Sequence, residues 1–546
     1  MLTAEKAYER RWWTLGVLCT SLLVISVDNS ILNVALPTIV RDLGATGSDL
    51  QWIVDAYVIV FACLLLTAGA LGDKFGRKRA LTFGLVWFGT FSAIATTANS
   101  PTMLITCRAL MGVGAAFIFP TTLSILTNTF TGHERAKAIG VWAGVSGLGV
   151  AVGPMLGGLL IEHFSWAAVF LVNVPLCVAA LVLGYFFIPD SRDPDNRPLD
   201  PIGALLSIFT LVALLYAIIQ APQVGWLHQE VVASFLGGLV LLGCFALWEL
   251  RNPEPMLDLH VFKNPRFSAA SAVVTLISFA LYGSIFLLIQ YFQFVLGYSP
   301  LEAGALAMPV AICMMITSPN APKLVLRWGT KRVVMLGLAV VILGMCLYAS
   351  DTIMSSILGG AFVRGLFGIG LGLTSAPATE SIMGSLPPAR AGVGSAINDT
   401  TRQTGGALGV AVIGSVFLSW YHHFVRIPAG VTGQGAAALR DSVGTALEYA
   451  ARAPGKQADL IVEHAKTAFV EAMRLTYPIS ALFLVFAFFI AWKWLPARAH
   501  AHADADHDVH DLPDAHDAHD ALDGRHDLDL RESSVPQPDA ADVAGA

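Results

Sequence analysis

TLGVLCTSLLVISVDNSILNVALPTIV, Thr14 to Val40, runs for longer than a bilayer is thick with one charged side chain, Asp28. About 20 apolar helical residues cross the roughly 30 Å hydrocarbon core, so this stretch reads as a transmembrane helix. A charge at the centre of such a helix costs about 2.5–3.5 kcal/mol, which a partner, a wet cavity or a bound proton must offset. Asp28 is therefore a functional candidate before anything else is known, because a carboxylate held there can take a proton or a cation.

The rest of the chain repeats the pattern. Of 546 residues 55% are hydrophobic and only 13% charged, and the mean hydropathy is +0.65. These values exclude a soluble domain of this length and indicate an all-α polytopic membrane protein. The seven cysteines lie in apolar runs and read as small core residues. Lys6, Arg10 and Arg11 precede a first run too long for a cleaved signal, which is expected to remain as the first helix. Apolar runs divide into fourteen expected spans, at 14–38, 50–72, 80–97, 102–127, 136–162, 167–188, 201–220, 231–249, 268–292, 302–320, 333–350, 354–382, 393–419 and 475–496. Lys74, Arg77, Lys78, Arg79, Arg135, Lys137, Lys323, Arg327, Lys331 and Arg332 then fall on one side, which puts both termini in the cytoplasm. Residues 421–474 form a long loop on the other side, where alternating apolar and charged residues suggest two amphipathic helices outside the membrane, as a lid or as an inert loop.

The formal charge of −6 belongs to the tail, since thirteen acidic against three basic residues follow from Arg498 onward. That tail also holds seven of the fourteen histidines, His500, His502, His507 and His510 among them. Such density suits metal ions, but no ligand spacing recurs, and low hydrophobicity with high charge reads first as a disordered solvating tail.

An internal repeat organises the spans. CRALMGVG around Arg108 and VRGLFGIG around Arg364 place Arg, Leu, Gly and Gly at identical spacing. FGRKR at 75–79 is echoed by WGTKR at 328–332, and Arg135 by Arg390, with similar offsets. The expected organisation is a six-helix half at 1–190, an inserted helix pair with linkers at 191–267, a second six-helix half at 268–497 and a tail at 498–546. Two-half transporters bind substrate where the halves meet and work by rocking one against the other.

Three motifs carry the chemistry. GALGDKFGRKRA, Gly69 to Ala80, offers Gly72 and Gly76 for a tight turn, and Asp73 to accept from backbone amides or pair with an arginine such as Arg77 at a helix end. Arg108, in LITCRALMGVGAA, cannot shed its proton and needs an acidic or carbonyl partner; Asp28 is the first choice, whether for proton coupling or as a structural ion pair. GVAVGPMLGG sets Gly149, Gly153 and Gly157 four apart, a bare stripe for close helix packing with Pro154 as a bend. In LQWIVDAYVIV, Asp55 with Trp52 and Tyr57 suits a lipophilic cation through charge and cation–π attraction, or else an interfacial aromatic belt.

Together these strings resemble the major facilitator superfamily, and VDNSILNVALP, QWIVDAY and SWAAVFLVNVP are similar to its fourteen-span drug:proton antiporter branch, the QacA-type pumps, over residues 10–495. The resemblance implies two six-helix halves plus two inserted helices, export of lipophilic, cationic drugs from a bacterial cytoplasmic membrane, and a proton gradient in place of a cofactor. It implies proton coupling by Asp28 and Arg108, and a conformational role for the GALGDKFGRKRA and GVAVGPMLGG glycines. That branch carries an acidic residue in the tenth span where this chain has Met314, so dicationic substrates are not expected. Met308, Met314 and Met315 can line a polarizable pocket or simply pack helices. Asp399 and Arg402, at i and i+3, are expected to compensate each other.

No Walker motif, HExxH or nucleophile–base pair stands in the sequence, which argues against an ATPase or an embedded enzyme, and nothing points to nucleic acid. Partners are then lipophilic small molecules, protons and the bilayer, for a chain expected to act as a monomer. The alternatives are export of an endogenous lipid, siderophore or antibiotic by the same fold, and a metal-responsive sensor working through the tail.

Overall fold

Helix starts are written locally in this chain. Ser100–Pro101, Asp200–Pro201, Asn264–Pro265 and Ser299–Pro300 each put a capping side chain before a proline at the first helical position, and each side chain accepts a hydrogen bond from a backbone N–H of the first turn. At Ser299 a capping box forms with Glu302. In the computed structural model, which describes residues 9–497 except 46, 194–197, 349–356, 429–430, 432 and 454, the described residues are almost wholly helical and include no strand. The histidine-rich tail, with His500, His502, His507 and His510, lies outside the described residues.

The first half comprises α1 (Arg11–Leu43), α2 (Gly47–Phe75), α3 (Arg77–Ala95), α4 (Pro101–Thr129), α5 (Gly132–His163) and α6, formed by Ala168–Leu171 and Asn173–Phe187. Next come α7 (Pro201–Val224) and α8 (Gln229–Arg251). The second half comprises α9 (Pro265–Gln290), α10 (Pro300–Trp328), α11 (Thr330–Tyr348), α12 (Ile357–Met383) and α13 (Ala391–Phe424), then the short α14 (Gln434–Asp441) and α15 (Val443–Ala450), and α16 (Gly455–Trp494). Thirteen of the described helices are long and apolar enough to cross a membrane. The expected third span is the 19-residue α3, which opens on Arg77, Lys78 and Arg79 and is not among them.

The largest departure from expectation is α16. Residues 455–474, expected to form a separate amphipathic helix, continue without a break into the last span as one 40-residue helix, roughly 60 Å long. Ile461, Ala465, Ala468, Phe469, Ala472 and Met473 are all buried, so the amphipathic stripe stays in phase with the span that follows.

The halves meet along α5 against α10 and α2 against α13, and α7 packs on both α2 and α13. Outward-facing apolar side chains on α8, such as Leu236, Val240 and Leu247, are exposed, as a lipid-facing helix requires.

Candidate functional site

Five helices converge on Asp28. Its Oδ2 accepts from Arg108 Nη1 of α4 at 2.6 Å, and its Oδ1 accepts from Asn173 Nδ2 of α6 at 2.8 Å. Asn173 also donates to Ser92 Oγ of α3 at 3.1 Å, and Ser92 donates to the Phe170 carbonyl. Arg108 Nε donates to the Ile53 carbonyl of α2 at 3.1 Å, while its guanidinium lies 4.1 Å from the centre of the Tyr57 ring. Asp28 and Arg108 are each 1% exposed. Every charge here is therefore taken from water and answered by a directed donor or acceptor, the condition under which a buried pair survives its desolvation. Asn173 and Ser92 were missed in the sequence; an amide inside the apolar run AVFLVNVP was the available signal.

The expected aromatic cage does not assemble. Tyr57 is fully buried with Arg108 on its face, so its π surface is already used by the protein's own cation. Trp52 instead meets Tyr216 of α7, ring centres 6.4 Å apart, and packs with Leu215 and Ile59. Asp55 is half-buried and forms no ion pair among the described residues. Of the expected substrate residues in the second half, Met308 is half-buried, whereas Met314 is buried and fills the groove left by Gly147 on α5.

The glycine stripe faces the helix that carries Asp28. A Cβ on Gly149 would strike Ser26 and one on Gly153 would strike Ser30, while at Gly157 it would stand 2.9 Å from Ile31 Cγ1. Ser30 Oγ donates to the Gly149 carbonyl at 3.2 Å, so α1 and α5 touch backbone to side chain around Asp28. A second bare face on α5, with Gly140, Gly144 and Gly147, meets Ser318, Met315 and Met314 of α10. Pro154 lies against Gly304 of α10. One helix thus bears both on the Asp28 helix and on the other half.

At the Lys/Arg-rich end of the bundle the halves are tied. Gly76 adopts φ 108 between α2 and α3, a conformation suited to glycine, and so brings Asp73 and Arg77 together. Arg77 Nε donates to Asp73 Oδ1 at 2.8 Å. The Asp73 carboxylate accepts from the backbone N–H groups of Gly392, at 3.0 and 2.9 Å, and Val393, at 3.2 Å. These are free donors in the first turn of α13, whose positive dipole end the carboxylate also meets. Arg77 Nη2 donates to the Ala389 carbonyl, and Arg135 of α5 pairs with Glu380 of α12 at 2.7 Å. Gly72 lets α2 approach Thr121 of α4.

Residues 18–410 match the family described as Major Facilitator Superfamily. The chain belongs to the Major Facilitator Superfamily. It is 36% identical over 482 residues to the multidrug efflux pump LfrA of Mycolicibacterium smegmatis, covering 88% of this chain and 95% of that one. It is 33% identical to the methyl viologen resistance protein SmvA of Salmonella typhimurium, covering 84% and 93%. The proton:xylose symporter XylE, at 13% identity, superposes with a TM-score of 0.57 over 89% of this chain and 96% of that one, which establishes a shared fold. This superfamily member is thus a multi-pass transporter of the cell membrane and not an enzyme.

In its second half the chemistry is different. Arg364 of α12, the repeat counterpart of Arg108, is 2% exposed, lies 5.2 Å from the Phe292 ring, and forms no ion pair among the described residues. Asp399 and Arg402 lie close enough to compensate each other electrostatically, as expected, but make no direct ion pair among the described residues. Asp399 accepts from Asn398 Nδ2 at 3.1 Å, and Arg402 reaches across the interface to the face of Trp142 on α5, 5.7 Å from its centre.

Proposed function

We propose that this chain is a proton-coupled multidrug exporter that extrudes lipophilic, cationic small molecules by alternating access, with fourteen spans, cytoplasmic termini and both halves of the site in one monomeric chain. The observation that carries the reading is the fully buried Asp28–Arg108 pair, in a chain whose relatives are named for drug efflux and resistance.

Asp28 is the proton-coupling group and Arg108 its sensor. A proton on Asp28 cancels the attraction to Arg108, worth about 4 kcal/mol for unit charges 4 Å apart at an effective dielectric of 20. It leaves the guanidinium held by the Ile53 carbonyl and the Tyr57 ring. Because α5 packs on α1 beside Asp28 and on α10 of the other half, a shift of α1 or α4 is passed to the interface between halves. Asp55, half-buried and without an ion pair among the described residues, supplies the counter-charge for the cationic substrate, with Met308 on the opposing half and Trp52 beside it. Tyr57 and Met314 act as packing groups. The Asp73 and Arg77 clasp on α13, with Gly72 and Gly76, forms the inner gate, and the faces around Gly149, Gly153, Pro154 and Gly157 are the surfaces on which the helices move.

Exchange of one monovalent cation for one proton moves no net charge, so a pH gradient alone drives it, about tenfold accumulation per pH unit. Everted vesicles with an acidic interior should accumulate a fluorescent lipophilic monocation when they carry the wild type. Asp28→Asn should abolish this uphill uptake, and Asp55→Asn should weaken substrate affinity. Methyl viologen, a dication, should be carried less well than the monocation. Wild-type vesicles that show no pH-driven uptake of any lipophilic cation would sink the proposal.

A further inference from the structure

The inserted helix pair carries two buried carboxylates that none of this uses. Asp200 caps α7 and is 7% exposed; Glu249, two residues before the end of α8, is 3% exposed. Asp200 is fully engaged as an ionised group. Its Oδ1 accepts from Gly203 N at 2.8 Å and Trp248 Nε1 at 3.0 Å, and its Oδ2 accepts from Trp248 Nε1 at 2.9 Å and Asn252 Nδ2 at 2.8 Å. Glu249 is not so served. Its Oε2 accepts from Leu257 N at 3.1 Å and the Met256 N–H also faces the carboxylate, while its Oε1 has no hydrogen-bond partner among the described residues.

That oxygen borders the same small space beside Gly203 as Asp200. A Cβ built on Gly203 would stand 2.5 Å from Asp200 Oδ2 and 2.6 Å from Glu249 Oε1, so both oxygens crowd the space a single methyl would fill. The charged groups facing Glu249 are acidic: Asp200 on α7, and Asp258 on the linker between α8 and α9. The nearby cations do not reach Glu249. Lys74 and Arg390 line a cavity of about 210 Å³ that Asp200 borders together with Asp73, Asp193 and Glu254 but Glu249 does not, and Arg390 is turned toward Asp258 at 3.8 Å. A metal ion does not fit the gap, because Asp200 already accepts from three N–H groups, which leaves one of its four lone-pair sites, and among the described residues no cluster of metal-ligating side chains stands there. A proton does fit: on Oε1 it turns a surplus acceptor into a donor facing a carboxylate.

We propose that Glu249 is a second proton-binding site, independent of Asp28, which holds its proton against Asp200 and in that form fastens the linker into the second half. Glu249 grips the linker through the Leu257 N–H, and one residue later Asp258 faces Arg390, the cap of the α13 helix that Asp73 ties. Loss of the proton sets a second, poorly served negative charge beside the ionised Asp200 at the point where the linker is anchored. The linker is then released on the same side of the molecule as the clasp.

The test uses the full chain in nanodiscs, with infrared difference spectra recorded during a pH titration and hydrogen–deuterium exchange of residues 252–264. Wild type should show a protonated-carboxyl C=O band at neutral pH that fades on alkalinisation, with linker exchange rising at least severalfold as it fades. E249Q keeps the shape and hydrogen bonds of the protonated form, so it should lack that band and keep linker exchange low at every pH. Asp28→Asn should leave the band in place, which separates failure of this site from failure of the proton-coupling pair. A neutral-pH spectrum from which E249Q removes nothing, or linker exchange that does not change with pH in wild type, would overturn the proposal.

Discussion

Arg108 and Arg364 occupy equivalent places in the two halves and live in opposite electrostatic surroundings. Arg108 has a carboxylate at 2.6 Å, a carbonyl and an aromatic face. Arg364, nearly as buried, has the Phe292 ring and Tyr298 and Tyr348 nearby, but no carboxylate among the described residues. The repeat kept the scaffold residue and its glycines, and the half that also holds Asp28 acquired a charge that can be switched. The other arginine is a fixed cation. On the proposed reading, protons are therefore handled in the first half while the second moves against it.

The sharpest way to break that comparison is to replace each arginine by methionine. Arg108→Met leaves Asp28 buried without its cation, a loss of about 3–5 kcal/mol, and should abolish pH-driven uptake in vesicles. Arg364→Met replaces a guanidinium that has no ion pair among the described residues with an apolar side chain of similar volume, and should change the unfolding temperature little or raise it. Equal losses of uptake and thermal stability in the two variants would mean that the halves are not divided in this way.

A smaller effect is expected where α5 touches the Asp28 helix. Gly153→Ala puts a methyl group onto Ser30, an overpacking that costs about 1–3 kcal/mol. It should lower the unfolding temperature and slow transport. Gly237→Ala, on α8 with nothing within 4 Å of the new methyl, should be neutral or stabilising, since it removes backbone freedom from a helix. The pair distinguishes close packing around Asp28 from a general intolerance of methyl groups in membrane helices.

The two ties at the gate should differ too. Asp73 is 6% exposed and serves three N–H groups, counting Arg77, Gly392 and Val393. Glu380 meets Arg135 with side chains 20% and 27% exposed. Asp73→Asn should shift the gate toward its open state by about 1–2 kcal/mol, a factor of roughly ten, and Glu380→Gln by less. Distance measurements between spin labels on the α2–α3 and α10–α11 turns would read both populations, and a larger opening for Glu380→Gln would reverse the ranking.

Much of this was open to sequence reasoning for one reason: membrane helices declare themselves through apolar length, and a charge inside one demands an answer. That logic named Asp28, Arg108 and Asp73 and the kinds of partner they need. It could not say that the amides meeting Asp73 belong to Gly392 and Val393, more than 300 residues away, or that Arg135 meets Glu380, because nothing local encodes a contact between halves. Tyr57 shows the converse error. Its nearness in sequence to Trp52 and Asp55 suggested a shared cage, yet five positions along a helix turn it to the opposite side, where Arg108 already covers it. The continuity of the last helix was not legible because an amphipathic stripe and a membrane stripe can share one phase, and the chain between them has no breaker until Pro478.

The smallest prediction concerns Asp258, on the linker outside the spans. Burial alone would raise its carboxyl, but the N–H and ring of His260 and the guanidinium of Arg390 outweigh it and hold it below the usual carboxylate range. A depressed carboxyl adds stability that is present above the unfolded-state value near 3.9 and is lost as pH falls through the folded one. With its side chain 37% exposed and Arg390 at 3.8 Å, the contribution is well under about 1 kcal/mol. Asp258→Asn should therefore lower the unfolding temperature by no more than a degree or two at neutral pH, and by less as pH falls below the unfolded-state value. If the Glu249 site anchors this linker, E249Q should leave the Asp258→Asn difference intact, since it preserves the anchored form. A difference that vanished in the E249Q background would show that Asp258 acts through the anchor and not through Arg390.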